Sequence, residues 1–206
     1  MDDPRQRAPS VARNRDPILE VLRRVLPQRG MALEVASGSG EHVIYFAKRF
    51  PQLDFLPSDP DEAARSSIVA WTSDSGLSNI LAPIALDAAA PHWPLDKADA
   101  IICINMAHIT PWSATEGLFK GAARLLGSGA PIYLYGPYRR NGAHTAESNQ
   151  AFDQWLREKN PQWGLRDLER VTECAVLNGF TLPEIHEMPA NNLSLLFRRR
   201  ERRSGF

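Results

Sequence analysis

Two apolar runs near the C-terminus, Thr181–Glu187 and Leu193–Arg199, are separated only by Met188-Pro-Ala-Asn-Asn192. Parallel neighbours need a crossover of about a dozen residues or more, so these two runs must pair antiparallel. The chain before them follows the opposite rule. Short apolar runs alternate with helical segments, the pattern of βαβ units and a mostly parallel sheet. The expected strands are Met31–Ala36, Leu53–Leu56, Ile80–Leu86, Ala100–Ile104 and Pro131–Tyr135, followed by the hairpin. Helices are expected from Asp16-Pro17 to Leu26, Glu41 to Phe50, Ser58-Asp-Pro-Asp61 to Trp71, Thr115 to Leu126, Asn149 to Glu158 and Asp167 to Asn178. Asp16 before Pro17 reads as an N-cap with proline in the first turn. Gly179 is the expected left-handed residue after the last helix. The layout predicts one α/β domain over residues 16–200. Its sheet has seven mostly parallel strands ending in an antiparallel hairpin, with helices on both faces. Residues 1–15 read as a polar arm and residues 201–206 as a basic tail.

Composition narrows the partners. The chain has 206 residues, 24 basic and 24 acidic, and a formal net charge of zero. That balance argues against a polyanion such as nucleic acid. The exception is a local cluster of arginines from Arg198 to Arg203, which the sequence leaves open between a solvated tail and a contact with an acidic partner. Cys103 and Cys174 lie in apolar contexts and make neither a disulfide framework nor a zinc spacing. No metal is expected. With no apolar stretch long enough to span a membrane and no secretory signal, a cytoplasmic protein is expected. The sequence carries no signal for oligomeric state.

The chemistry begins at Glu34-Val-Ala-Ser-Gly-Ser-Gly40, which closes the first strand and opens the next helix. Glycines there let a ligand approach the backbone, and the helix start offers free N–H groups. No Gly-Lys-Ser/Thr follows, so this is not a P-loop. Glu41, His42 and Val43 stand where the dinucleotide fingerprint needs its third glycine. Glu41 would also repel a pyrophosphate. S-adenosylmethionine fits instead: it has no phosphate, and its amino and sulfonium charges want carboxylates nearby. Asp59, about 20 residues after the loop and just past the second strand, is placed to accept ribose hydroxyls. The same Asp59-Pro60 pair also reads as a plain helix start. Asp87, ending the third strand, could meet the adenine amino group or cap the following turn.

These features resemble the class I S-adenosylmethionine-dependent methyltransferases, and more narrowly the DUF938 family, also called methyltransferase-like protein 26. The resembling segments run from about residue 14 to 198. They include Asn14-Arg-Asp-Pro-Ile-Leu-Glu-Val-Leu, Leu33-Glu-Val-Ala-Ser-Gly-Ser-Gly-Glu-His, Pro57-Ser-Asp-Pro-Asp, Asn105-Met-Ala-His-Ile-Thr-Pro-Trp, Leu134-Tyr-Gly-Pro-Tyr, Trp163-Gly-Leu-Arg-Asp-Leu-Glu and Met188-Pro-Ala-Asn-Asn-Leu-Ser-Leu. The resemblance implies a Rossmann-like fold with the cofactor held by Glu34, Ala36, Ser37, Gly38, Gly40, Asp59 and Asp87. It also implies that Asn105 and Met106 flank the methionine end. Ala36 departs from the common loop, which begins its glycine run there.

Ligands of such sheets bind beyond the carboxyl ends of the parallel strands, where this chain is rich in His, Trp, Tyr and Asn. Trp112, Tyr135, Tyr138, Asn191 and Asn192 are the candidate substrate residues. Each also has a plain structural reading: Asn191 and Asn192 as turn formers, Tyr138 and its arginines as part of a mobile loop. His108 is the candidate general base, since an unperturbed imidazole titrates near working pH. Asn14 and Arg15 are read either as a lid or as the approach to the first helix. The expected function is methyl transfer from S-adenosylmethionine to a small-molecule acceptor. The alternatives are a macromolecular acceptor or a non-catalytic protein that binds the cofactor.

Overall fold

The computed structural model describes residues 3–201; the rest of the expected basic tail, residues 202–206, lies outside the described residues. In chain order the helices and strands are α1 (Pro9–Val25), β1 (Gly30–Val35), α2 (Glu41–Ala47), β2 (Leu53–Ser58), α3 (Glu62–Ser75), β3 (Ala100–Ile104), α4 (Trp112–Leu125) and β4 (Pro131–Gly136). Then come β5 (Tyr138–Arg140), β6 (Ala143–His144), α5 (Glu147–Lys159), β7 (Arg166–Asp167), α6 (Leu168–Leu177), β8 (Glu184–Met188) and β9 (Asn192–Arg198). The main sheet has the order β2-β1-β3-β4-β9-β8. Its first four strands are parallel, and β9 is antiparallel to both β4 and β8. The short 188–192 connection makes β8 and β9 an antiparallel hairpin, whose second strand inserts against β4.

Two-residue periodicity builds both sides of the core. Leu33, Ile101, Cys103, Ile132 and Leu134 pack with Leu118 and Phe119 of α4 and Val171 of α6. Ala32, Ile102 and Tyr133 point the other way, onto Ile18 and Leu22 of α1, Phe46 of α2 and Ile68 of α3. Helices therefore cover both faces. Tyr133 is fully buried, and its hydroxyl is satisfied by Ser194 Oγ at 2.6 Å, a bond that ties β4 to β9.

Among the described residues the main sheet has six laddered strands rather than the expected seven. Residues 80–86 make only isolated bridges to β2, Phe55 with Ile80 and Ser58 with Ile84. Pro83 has no N–H to give to a ladder, and the segment lies at the sheet's edge, where a proline can interrupt pairing without disrupting neighbours.

The helix start expected at Asp16 also fails. Helix α1 begins at Pro9 and carries Pro17 in its interior. Val11, Asn14, Ile18, Val21, Leu22 and Val25 form one buried stripe, so packing of the extra turns outweighs the hydrogen bond that Pro17 cannot make. Asp16 instead accepts a hydrogen bond from the Tyr45 hydroxyl. The segment before α1 is docked: Gln6 N donates to Ser67 Oγ at 2.8 Å, Ala8 N to Glu41 Oε2 at 2.6 Å, and Trp71 Nε1 to Gln6 O at 3.0 Å.

At the other end, part of the arginine cluster serves the fold. Arg199 Nη1 donates to Gly179 O at 2.6 Å and Arg200 Nη2 to Val176 O at 2.6 Å, so both cap carbonyls at the end of α6. Gly179 does take the left-handed conformation, with φ 84°.

Candidate functional site

The turn between β1 and α2 is clasped to the end of β2. Ser37 N donates to Ser58 O at 2.9 Å, Ser58 Oγ to Glu34 O at 2.8 Å, and Gly38 N to Asp59 Oδ2 at 3.0 Å. Ala36, Gly38 and Gly40 all have positive φ, at 57°, 55° and 87°. The alanine occupies a backbone geometry in which a side chain costs about 1–2 kcal/mol. The two glycines do different work. A Cβ on Gly38 would meet nothing within 4 Å, leaving open space beside the loop. A Cβ on Gly40 would stand 2.9 Å from Ile68 Cγ1 and 3.0 Å from Ile68 Cα, so Gly40 lets α3 pack against the turn.

Glu34 ends β1 beneath this turn. It is 2% exposed, and its Oε2 has no hydrogen-bond partner among the described residues. Burial raises its carboxyl to about 7, opposed by the Ser37 hydroxyl and assisted by the charge of Asp59. A buried carboxylate with an unmatched oxygen costs stability unless a donor arrives.

Asp59 is not the cap of α3; Asp61 is, accepting Ala63 N–H at 3.1 Å. Asp59 holds the turn instead, with Oδ1 accepting Asp61 N at 3.0 Å and Oδ2 accepting Gly38 N. Asp87 is exposed and accepts Ala89 N at 2.8 Å, the turn-capping arrangement. Glu41, whose charge argues against a pyrophosphate at this turn, is engaged by Ala8 N and by Ser39 Oγ at 3.0 Å.

Beyond the ends of β3 and β4 lies a cavity of about 710 Å³. Asn105 and His108 line it from the turn after β3, and Tyr135 from β4. Pro189, Ala190 and Asn192 enter from the hairpin, and Ser148, Asn149 and Phe152 from α5. The remaining wall is Pro137 after β4 and Ser10, Arg13 and Asn14 of α1; Arg15 is not part of it. Asn14 is buried and its Oδ1 lies 2.8 Å from His42 Nε2. Asn105 has φ 63°, which turns the chain at the strand end. Met106 is 2% exposed and packs into the core, so it can offer the site only backbone.

His108 is 5% exposed, with its ring edge-on to Phe152 at 5.5 Å between centroids. Burial, followed by the charge of Arg166, lowers its imidazole to about 3. At that value the ring is neutral near pH 7, unlike the unperturbed imidazole on which the general-base reading rests. Arg166 also fixes the turn carrying His108, donating through Nε to Ala107 O at 2.9 Å and through Nη2 to Thr110 O at 2.5 Å.

Two expected substrate residues lie away from the cavity. Trp112 is on α4, beneath the Arg170 guanidinium at 4.1 Å. Tyr138 is 2% exposed in the core, because the small sheet β6-β5-β7 directs it inward. Asn191 is exposed and left-handed, with φ 57°. Its carbonyl accepts Asn149 Nδ2 at 3.0 Å, so it braces the wall rather than lining it. Asn192 does line the cavity while its Nδ2 closes the turn onto Pro189 O at 3.0 Å. Ser10, Arg13, Asn149, Phe152 and Arg166 were absent from the expected site. Arg166 lies inside the resembling Trp163–Glu169 segment and Ser10 and Arg13 just before the Asn14 one, whereas Asn149 and Phe152 lie outside every such segment.

The sequence matches the family described as proteins of unknown function, DUF938, over residues 5–199. Among similar solved structures, a putative O-methyltransferase from Nostoc punctiforme has 15% identity and a TM-score of 0.79, over 92% of this chain and 56% of that one. Human N-acetylserotonin methyltransferase, in complex with S-adenosylmethionine, has 14% identity and a TM-score of 0.73, over 93% and 53%. YcgJ from Bacillus subtilis has 13% identity and a TM-score of 0.71, over 93% and 100%. The chain thus spans little more than half of the first two and all of the third; at such identities the likeness is one of fold. The family match and the shared architecture together place this chain in the DUF938 family, with the Rossmann-like fold of the class I methyltransferases.

Proposed function

We propose that the protein transfers a methyl group from S-adenosylmethionine to a small-molecule acceptor held in the cavity. The observation that carries this reading is Glu34, a buried carboxylate with an unmatched oxygen beneath a turn whose Gly38 borders open space. That arrangement suits a ligand bringing an ammonium and no phosphate. Glu34 would take the amino group, and the 36–40 turn would follow the methionine and ribose. Asp59 would accept ribose hydroxyls, with Asp87 at the adenine end. Asn105, which lines the cavity, and the backbone of Met106 would flank the methionine end. Bound S-adenosylmethionine would supply an already activated methyl on its sulfonium.

The chain's own contribution is then alignment, which can supply much of the acceleration in such a displacement. Asn105, Tyr135 and His108 would orient the acceptor, and α1 with Phe152 would exclude water. His108 is a weak base in this setting, and we assign it to hydrogen bonding with the acceptor. The capping of α6 by Arg199 and Arg200 favours a small acceptor over a polyanion, because part of the arginine cluster serves the fold. No helix among the described residues is long and apolar enough to cross a membrane. Calorimetric titration tests the cofactor: S-adenosylmethionine and S-adenosylhomocysteine should bind in the micromolar range, and tighter binding of NAD would overturn the proposal. Incubation of labelled S-adenosylmethionine with fractionated extract, read by mass, would then identify the acceptor.

A further inference from the structure

Among the described residues lining the cavity, Arg13 carries the only full charge: no carboxylate faces it, and His108 is neutral. Arg13 is exposed, and its side chain makes no ion pair or hydrogen bond with any described residue. Ser10, Arg13 and Asn14 fall three and four positions apart on α1, so one helix face brings them together at the wall. Nearby carboxylates are already engaged: Asp16 by Tyr45, Glu41 by Ala8 and Ser39. Arg13 lines the cavity together with Tyr135 at the end of β4, whereas neither Glu34 nor the 36–40 turn is part of that lining. The unmatched cation therefore belongs to the acceptor side of the site. The same cavity is lined from α5 by the apolar Phe152, which stacks on Trp155 at 5.9 Å between centroids.

We infer that the acceptor is a small anion, an apolar or aromatic body carrying a carboxylate that the Arg13 guanidinium receives. The inference rests on the proposed methyltransferase reading for the word acceptor, but not for the anion site itself. Guanidinium suits the purpose because its planar fork matches a carboxylate with two parallel hydrogen bonds.

The test is calorimetric titration of the full chain with small carboxylates, each paired with its primary amide; 4-hydroxybenzoate with 4-hydroxybenzamide is one pair and hexanoate with hexanamide another. Titrations are run with and without S-adenosylhomocysteine. At least one carboxylate should bind saturably and at least tenfold tighter than its amide, with an affinity that weakens as salt is added. Arg13→Gln should bring the pair to within twofold, and Arg13→Lys should restore part of the difference. The inference is overturned if no carboxylate binds, if amides bind equally well, or if the preference survives Arg13→Gln. It is also overturned if Arg13→Gln weakens S-adenosylhomocysteine tenfold, which would put Arg13 on the cofactor's own carboxylate. Should S-adenosylhomocysteine fail to bind the wild type while carboxylates bind through Arg13, the methyltransferase reading falls and the anion site stands.

Discussion

Replacing Glu34 with glutamine should raise the stability of the free protein and lower its affinity for the cofactor. Burial lifts the Glu34 carboxyl from the usual 4.5 to about 7. Between those values the folded protein keeps a proton that the unfolded chain has released. The native state therefore binds more protons there, and stability falls as pH rises from 4.5 through 7, with the full penalty above. At about 1.36 kcal/mol per pH unit, a span of about 2.5 units costs about 3 kcal/mol at alkaline pH. Glutamine keeps the shape and cannot ionise. The stability of Glu34→Gln relative to wild type should thus grow by about 2 kcal/mol between pH 5.5 and pH 8. His42 and His108, lowered by burial to about 4 and about 3, act with the opposite sign. The unfolded chain takes up their protons below about 6.5 and the native state does not, so both lose stability as pH falls. They are common to wild type and variant, and the difference isolates Glu34. Denaturant titration at the two pH values supplies it. For affinity, a hydrogen bond to a charged group is worth about 1.5–3 kcal/mol, so S-adenosylhomocysteine should bind roughly 10–150-fold more weakly to the variant. Calorimetry near pH 7 in two buffers of different ionisation enthalpy should show about half a proton released on binding to wild type and none with Glu34→Gln. A variant no more stable at pH 8 than at pH 5.5, or one that binds normally, would refute the assignment of Glu34 as the ammonium acceptor.

The two loop glycines should separate binding from folding: Gly38→Ala should weaken S-adenosylhomocysteine with a small loss of melting temperature, whereas Gly40→Ala should lower the melting temperature more, by forcing α3 away from the turn. Equal thermal losses would mean that Ile68 yields to the added methyl. Asp59→Ala should weaken binding by about 1–3 kcal/mol and also lower the melting temperature, because the same carboxylate holds Gly38 N and Asp61 N. Unchanged affinity with a lower melting temperature would limit Asp59 to the turn. With an identified acceptor and saturating S-adenosylmethionine, which removes the Glu34 step, the wild-type rate should show no imidazole step between pH 5.5 and 8, since His108 is already neutral there. A rate rising through about 6.5 and lost in His108→Ala would return His108 to the role of general base.

Local chemistry in the sequence determined the parallel strands, the glycine turn, the terminal hairpin and the closure of α6 by Gly179. Each of these follows from residues next to one another: an alternating apolar pattern, a backbone position that rejects a side chain, or a connection too short to cross a sheet. Tertiary packing decided the rest. The Asp16-Pro17 pair is a good local helix start, yet burial of Val11 and Asn14 carries α1 back to Pro9 and sets Arg13 in the cavity wall. Periodicity in residues 80–86 suggests a strand, but only the edge position and Pro83 reduce it to bridges. The aromatic residues Trp112 and Tyr138 leave the ligand edge of the sheet, and the Arg170 contact and the small β5 sheet turn them elsewhere. Phe152 and Asn149 look like ordinary residues of an amphipathic helix until α5 is laid against His108 and the hairpin. Sequence pattern reports which face of an element is apolar. The cavity depends on which elements meet there, and long-range burial alone sets that.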